Sequence, residues 1–131
     1  MKRLTLIMLI AALLNAAAFA GTDRRNQTPK VRYIKPANDS VVDLTGRESL
    51  VFTWKPTPKP GGGRTAYRFE LFKDFGYEVV EDVTLEHDIY AAEVDADKLI
   101  NGAAYSWQVK QRDRKTHVWS MDNRWGFKVK K

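Results

Sequence analysis

Cysteine is missing from all 131 residues, and that one absence removes disulfides, thiolate metal sites, cysteine nucleophiles and a lipid-attachment thiol together. Any exported domain built from this chain holds itself together by packing alone. Histidine is scarce too, with only His87 and His117. There is no Gly-x-Ser-x-Gly elbow, no Gly-rich phosphate loop and no His-Glu-x-x-His pair. The best remaining trio, Glu86-His87-Asp88, consists of sequence neighbours whose side chains alternate in direction along an extended chain, so a base and its orienter cannot converge there. Asp95 and Asp97 share one side of an extended chain at about 7 Å, but no aromatic residue flanks them to hold a sugar for paired-carboxylate hydrolysis. The same two acids could offer oxygen ligands to calcium; an Asp-x-Asp-x-Asp-Gly loop is absent, and a charged edge that stays soluble is the plainer reading. The expectation is a non-enzymatic chain with no cofactor and no resident metal.

Long apolar runs are also missing after the first 20 residues. Lys2 and Arg3 followed by the apolar stretch Leu4 to Leu14, with Ala18-Phe19-Ala20 before Gly21, form the pattern of a secretory signal peptide. The run stops at Asn15, short of the roughly 20 apolar residues a spanning helix needs. Cleavage between Ala20 and Gly21 and export to the periplasm or beyond are expected. Residues 21–30 then read as a flexible polar tail and 31–131 as one domain, since the 111 residues left are enough for a single core.

Charge is distributed in blocks. Residues 21–73 carry 11 basic and 5 acidic groups, residues 74–97 carry 9 acidic and none basic, and residues 98–131 carry 9 basic and 2 acidic. The balance is too mild and too segmented for a nucleic-acid footprint, and export argues against that role as well. Asn26-Gln27-Thr28 and Asn38-Asp39-Ser40 match the glycosylation sequon.

What is present is a series of short alternating runs. Val31 to Ile34 and Val41 to Leu44 read as short strands. Leu50, Phe52 and Trp54 share the inner face of a third, closed by Pro56 and a long loop through Pro58, Pro60 and Gly61-Gly62-Gly63. Tyr67, Phe69 and Leu71 face inward, leaving Phe72 on the outer parity, and Lys73-Asp74-Phe75-Gly76 reads as a hairpin turn. Val79 to Leu85 and Ile89 to Val94 are weaker strands, and Asn101-Gly102 is a turn. Tyr105, Trp107 and Val109 then face the core while Ser106, Gln108 and Lys110 face out. Val118 to Ser120 and Trp125, Phe127 and Val129 complete the set. Turn signals about every ten residues predict an all-β, single antiparallel β-sandwich of about seven strands.

Several of these stretches, Phe52-Thr53-Trp54, Tyr67-Arg68-Phe69-Glu70-Leu71, Leu99 through Val109, Trp119-Ser120 and Trp125-Gly126-Phe127-Lys128-Val129, resemble a fibronectin type III-like (immunoglobulin-like) domain over residues 31–130. The resemblance implies that Trp54 packs in the core and that Leu99 and Tyr105 form a tyrosine corner, the phenol bonding to nearby backbone; with Trp107 these are the expected core markers. It departs in the long loop after Trp54 and the wide spacing from Trp119 to Trp125. It also implies one pole where the connections 55–65, 85–88 and 112–117 meet, uniting Lys59, Arg64, Arg112, Arg114, Lys115 and His117 with Glu86 and Asp88. Binding residues tend to sit on such loops.

A second candidate surface is aromatic, made of Phe72, Phe75 and Tyr77 near the hairpin turn together with Trp119. The alternative for Trp119 is packing against the stems of Lys110 and Arg112. The function expected is binding or scaffolding, with a protein or envelope component as partner, an anionic one where the basic pole makes the contact. The alternative is a carbohydrate-binding module using Trp119 and Trp125.

Overall fold

The computed structural model describes residues 28–57, 66–113 and 115–131. The signal-peptide and cleavage-site expectation lies outside these residues. No helix among the described residues is long and apolar enough to cross a membrane. Eight strands are present among them: β1 (Arg32–Lys35), β2 (Ser40–Asp43), β3 (Ser49–Lys55), β4 (Tyr67–Lys73), β5 (Val79–Leu85), β6 (Ala91–Asp95), β7 (Ala104–Gln111) and β8 (Trp125–Lys130). One turn of 3-10 helix, Ala96–Lys98, follows β6. The chain is all-β, in two sheets. One has the order β1-β3-β6 and the other β2-β8-β7-β4-β5.

Period-two alternation explains β3 directly, where Leu50, Phe52 and Trp54 are buried and Val51 is exposed. Their partners across the layer are Tyr67, Phe69 and Leu71 of β4, Tyr105, Trp107 and Val109 of β7, and Phe127 and Val129 of β8. Aromatic rings dominate this core, with Phe52 touching Phe69, Trp107 and Phe127 at centroid distances of 4.8, 5.2 and 5.7 Å. The expected core markers Trp54, Leu99, Tyr105 and Trp107 are all buried. Tyr105 turns its hydroxyl back to accept the Ile100 N–H at 2.8 Å. That bond holds the turn at Asn101-Gly102, where Gly102 takes φ 83, a conformation that costs glycine nothing.

Four sequence expectations needed correction. The sandwich is not purely antiparallel, because β2 pairs with β8 in parallel. Pro36 has no N–H to give a ladder, so β1 ends there, and the chain steps across to the other sheet and continues beside β8. Ser106 and Gln108 do not face solvent: both are buried, Ser106 bonded to the Asp74 turn and Gln108 between Asn123 and Glu70. Asn123 N–H donates to Gln108 Oε1 at 3.0 Å, and Gln108 Nε2 donates to Glu70 Oε1 at 3.1 Å. Val118 to Ser120 forms no strand, only an isolated bridge between Arg112 and Trp119. At the start of the domain, Thr28 is buried and its hydroxyl donates to Val118 O at 2.7 Å, so the part of the polar tail that is described is tied down.

Tyr33 joins the two sheets. β8 separates from β7 beyond the Trp107 to Trp125 pair, and the Tyr33 phenol fills the gap. Its oxygen accepts the Val109 N–H at 3.0 Å and donates to the Asn123 carbonyl at 2.5 Å. Its ring lies 4.5 Å from that of Trp107 and 5.2 Å from that of Trp125. Burial pushes the phenol above its ordinary pKa.

Candidate functional site

The β4 to β5 hairpin carries the most conspicuous surface feature. Asp74 turns the chain with φ 53, a conformation Asp tolerates better than most residues. The Asp74 N–H donates to Ala104 O at 2.9 Å, and the Ser106 hydroxyl donates to Asp74 O at 2.6 Å, so the turn is pinned to the start of β7. From this base Phe75 and Tyr77 project with 62% and 87% of their surface exposed.

Arg124, just before β8, clamps the turn from the other side. Its guanidinium carbon lies 3.8 Å from the centroid of Phe72 and 5.3 Å from that of Tyr77, while Nη1 donates to Gly76 O at 2.7 Å. Phe72 has the outer parity expected of it but is only 5% exposed, because the arginine covers its face. It therefore belongs to the support of the aromatic surface rather than to its accessible part. Phe75 leans over Gly126, where an added Cβ would meet its ring at 2.6 Å. Only glycine leaves that room. Phe75 also walls a groove of about 350 Å³ shared with Val41, Gly126, Phe127 and Lys128.

Between this tip and the far end of β4 the outer face is a network of charges. Arg68 binds Asp82 with two bonds of 3.0 and 2.8 Å, which hold the Asp82 carboxyl below its usual range and raise the guanidinium still further. Lys110 lies 3.5 Å from the nearly buried Glu70 and 3.3 Å from Asp122. These pairs join β4, β5 and β7 across the outer face, away from the turn itself.

The basic pole lies at the opposite end. Register places Tyr67 across from both Leu85 and Gln111, and Gln111 Nε2 donates to Thr57 O, which brings the ends of the three connections together. Lys59, Arg64 and Arg114 lie outside the described residues. Lys115 and His117 are exposed, as are Glu86 and Asp88, while Arg112 is half-buried. Asp113 shapes the loop: its carboxylate accepts the N–H groups of Lys115 and Thr116 at 2.7 and 3.1 Å.

The two tryptophans expected to serve a glycan are partly committed elsewhere. Trp119 is half-buried with the Arg112 guanidinium 5.6 Å from its ring centroid, the packing arrangement considered as its alternative, with Lys110 engaged instead by Glu70 and Asp122. Trp125 is wedged between Tyr33 and Trp107. The acids Asp95 and Asp97 line an open basin with Arg47, Glu48, Glu93 and Lys131. Among the described residues no three His, Asp or Glu side chains form a group able to hold a metal. Lys98 bonds Glu81 at 2.8 Å, which raises the lysine's pKa. Asn38, in the second sequon, accepts the Gly126 N–H at 2.8 Å through its side-chain oxygen.

Arg124 and Tyr33 were not anticipated from sequence. Arg124 reaches a carbonyl 48 residues away, and no local spacing signals such a contact. Compared with protein-family models and with curated proteins, the chain matches none.

Proposed function

We propose that this chain is a small exported, non-enzymatic binding module with a fibronectin type III-like fold, and that it engages a protein partner through the Phe75, Tyr77 and Arg124 tip. The fold assignment is supported by the strand order of the two sheets, by Trp54 buried on β3 and stacked with Phe69, and by the Tyr105 hydroxyl bonded to Ile100.

One observation carries the functional reading: two large rings stay exposed on a turn that is firmly held. A folded domain has ordinary reasons to leave single apolar groups outside, but here Arg124 stacks on Phe72 and Tyr77 and bonds the turn between them, which fixes the backbone from which Phe75 and Tyr77 project. Aromatic and arginine side chains are the types that anchor protein interfaces, and a rigid tip loses little entropy on docking. The glycan reading rests on Trp119 and Trp125 as open rings. Trp119 lies under Arg112 and Trp125 is packed on the core, so the protein partner is favoured. The basic pole at the other end remains a secondary contact for an anionic partner.

The test is a pull-down from the native envelope fraction with the wild type, with Phe75→Ser/Tyr77→Ser and with Arg112→Ala/Lys115→Ala, each variant first checked for an unchanged unfolding midpoint. The tip variant should lose the captured protein. Capture that survives in the tip variant and vanishes in the pole variant would transfer the site to the opposite end.

A further inference from the structure

Among the described residues, β5 is the longest strand with an unpaired side. It has seven residues against four in β1, four in β2 and five in β6, and it pairs only with β4. Its layer is wider than the three-stranded layer below it. Consequently the inward side of β5 is incompletely covered: Val80, Val83 and Leu85 are only half-buried, and Val80 and Leu85 pack against the core from its margin. Along this strand every formal charge is negative. Glu78, Glu81, Asp82, Glu86 and Asp88 lie on or beside it, and no basic residue occurs between 74 and 97. Glu81 and Asp82 have partners, Lys98 and Arg68, whereas Glu78, Glu86 and Asp88 make no ion pair with any described residue.

We propose that the β5 edge accepts an extended segment of a partner protein as a sixth strand, and that this segment alternates apolar and basic residues. The proposal rests on the binding-module reading and extends it along the strand that begins two residues after Tyr77. Main-chain bonds to an open edge supply affinity irrespective of sequence, and alternate side chains supply selectivity. Apolar residues of the added strand would cover Val83 and Leu85 from the open side. Basic residues on its other face would meet Asp82 and the unpaired acids at the two ends of β5. The same charges exclude the commonest competitor, a second copy pairing β5 with β5, because like charges would then stand across from one another.

The probe is a synthetic peptide of alternating lysine and valine, about seven residues long to match the strand, titrated into the isotopically labelled chain and followed by amide shifts and hydrogen exchange. The expected result is perturbation and slowed exchange concentrated in 78–86, with affinity falling about tenfold between roughly 0.01 and 0.15 M salt as the Debye length shortens. Glu78→Lys/Glu86→Lys should weaken the peptide by a similar factor while leaving the fold intact. Perturbation confined to another edge, equal binding of an alternating glutamate and valine peptide, or no binding at all would overturn the proposal. If the peptide fails while the Phe75→Ser/Tyr77→Ser variant still loses its captured partner, the binding-module reading stands and the edge is removed from it.

Discussion

Replacing Tyr33 with Phe deletes one oxygen and leaves the ring in place between Trp107 and Trp125. The oxygen accepts from Val109 N–H and donates to Asn123 O, so its loss strands a buried donor at the point where β8 leaves β7. An unsatisfied buried group costs about 1–3 kcal/mol, and the second bond adds about 0.5–1.5 kcal/mol. The expected destabilisation is therefore roughly 2–4 kcal/mol, which in a domain of this size lowers the unfolding midpoint by about 8–25 °C. Urea unfolding followed by tryptophan fluorescence measures it directly, with Tyr77→Phe as the control because that hydroxyl lies on a side chain 87% exposed. The same phenol gives a pH signature. Its folded pKa is raised above the ordinary value of 10.0, chiefly by desolvation, so its contribution is complete below about pH 10 and is lost as pH climbs from there towards the folded value. Wild-type stability should thus decline in strong alkali with a slope that Tyr33→Phe reduces. Equal midpoints for Tyr33→Phe and Tyr77→Phe would refute the bridging role.

The other expectations concern the core and the tip. Trp107→Ala should cost about 3–5 kcal/mol through the cavity it opens, and Trp107→Phe clearly less, since the indole N–H has no hydrogen-bond partner among the described residues; denaturant midpoints compare the two. Tyr105→Phe removes the acceptor for Ile100 N–H and should cost about 1–2 kcal/mol, with exchange of the 99–103 turn amides accelerated more than exchange in β3. Gly126→Ala should change stability by less than about 1 kcal/mol, because an exposed ring can swing aside, yet it displaces Phe75 and should weaken partner capture as much as Phe75→Ala does. Capture by Gly126→Ala at wild-type strength would show that the position of Phe75 is irrelevant.

Alternation and turn residues alone determined much of this protein. The inner faces of β3, β4, β7 and β8 follow from residues two apart, because a pleated strand sends them to one side, and Asn101-Gly102 marks its turn because only a few residues accept the backbone angles there. The all-β class and two-layer arrangement were legible on those grounds. Tertiary structure decided what local pattern cannot encode. The parity of Phe72, Ser106 and Gln108 was read correctly, but their burial depended on residues distant along the chain: Arg124 over Phe72, the Asp74 turn on Ser106 and Asn123 beside Gln108. The parallel pairing of β2 with β8 followed from a chain that steps between sheets at Pro36, a matter of path rather than composition. Charge shows the same division. Sequence displays one acidic block between 74 and 97, but only the topology turns part of it into the free margin of the wider sheet, since which strands become edges depends on the order in which all the others pair.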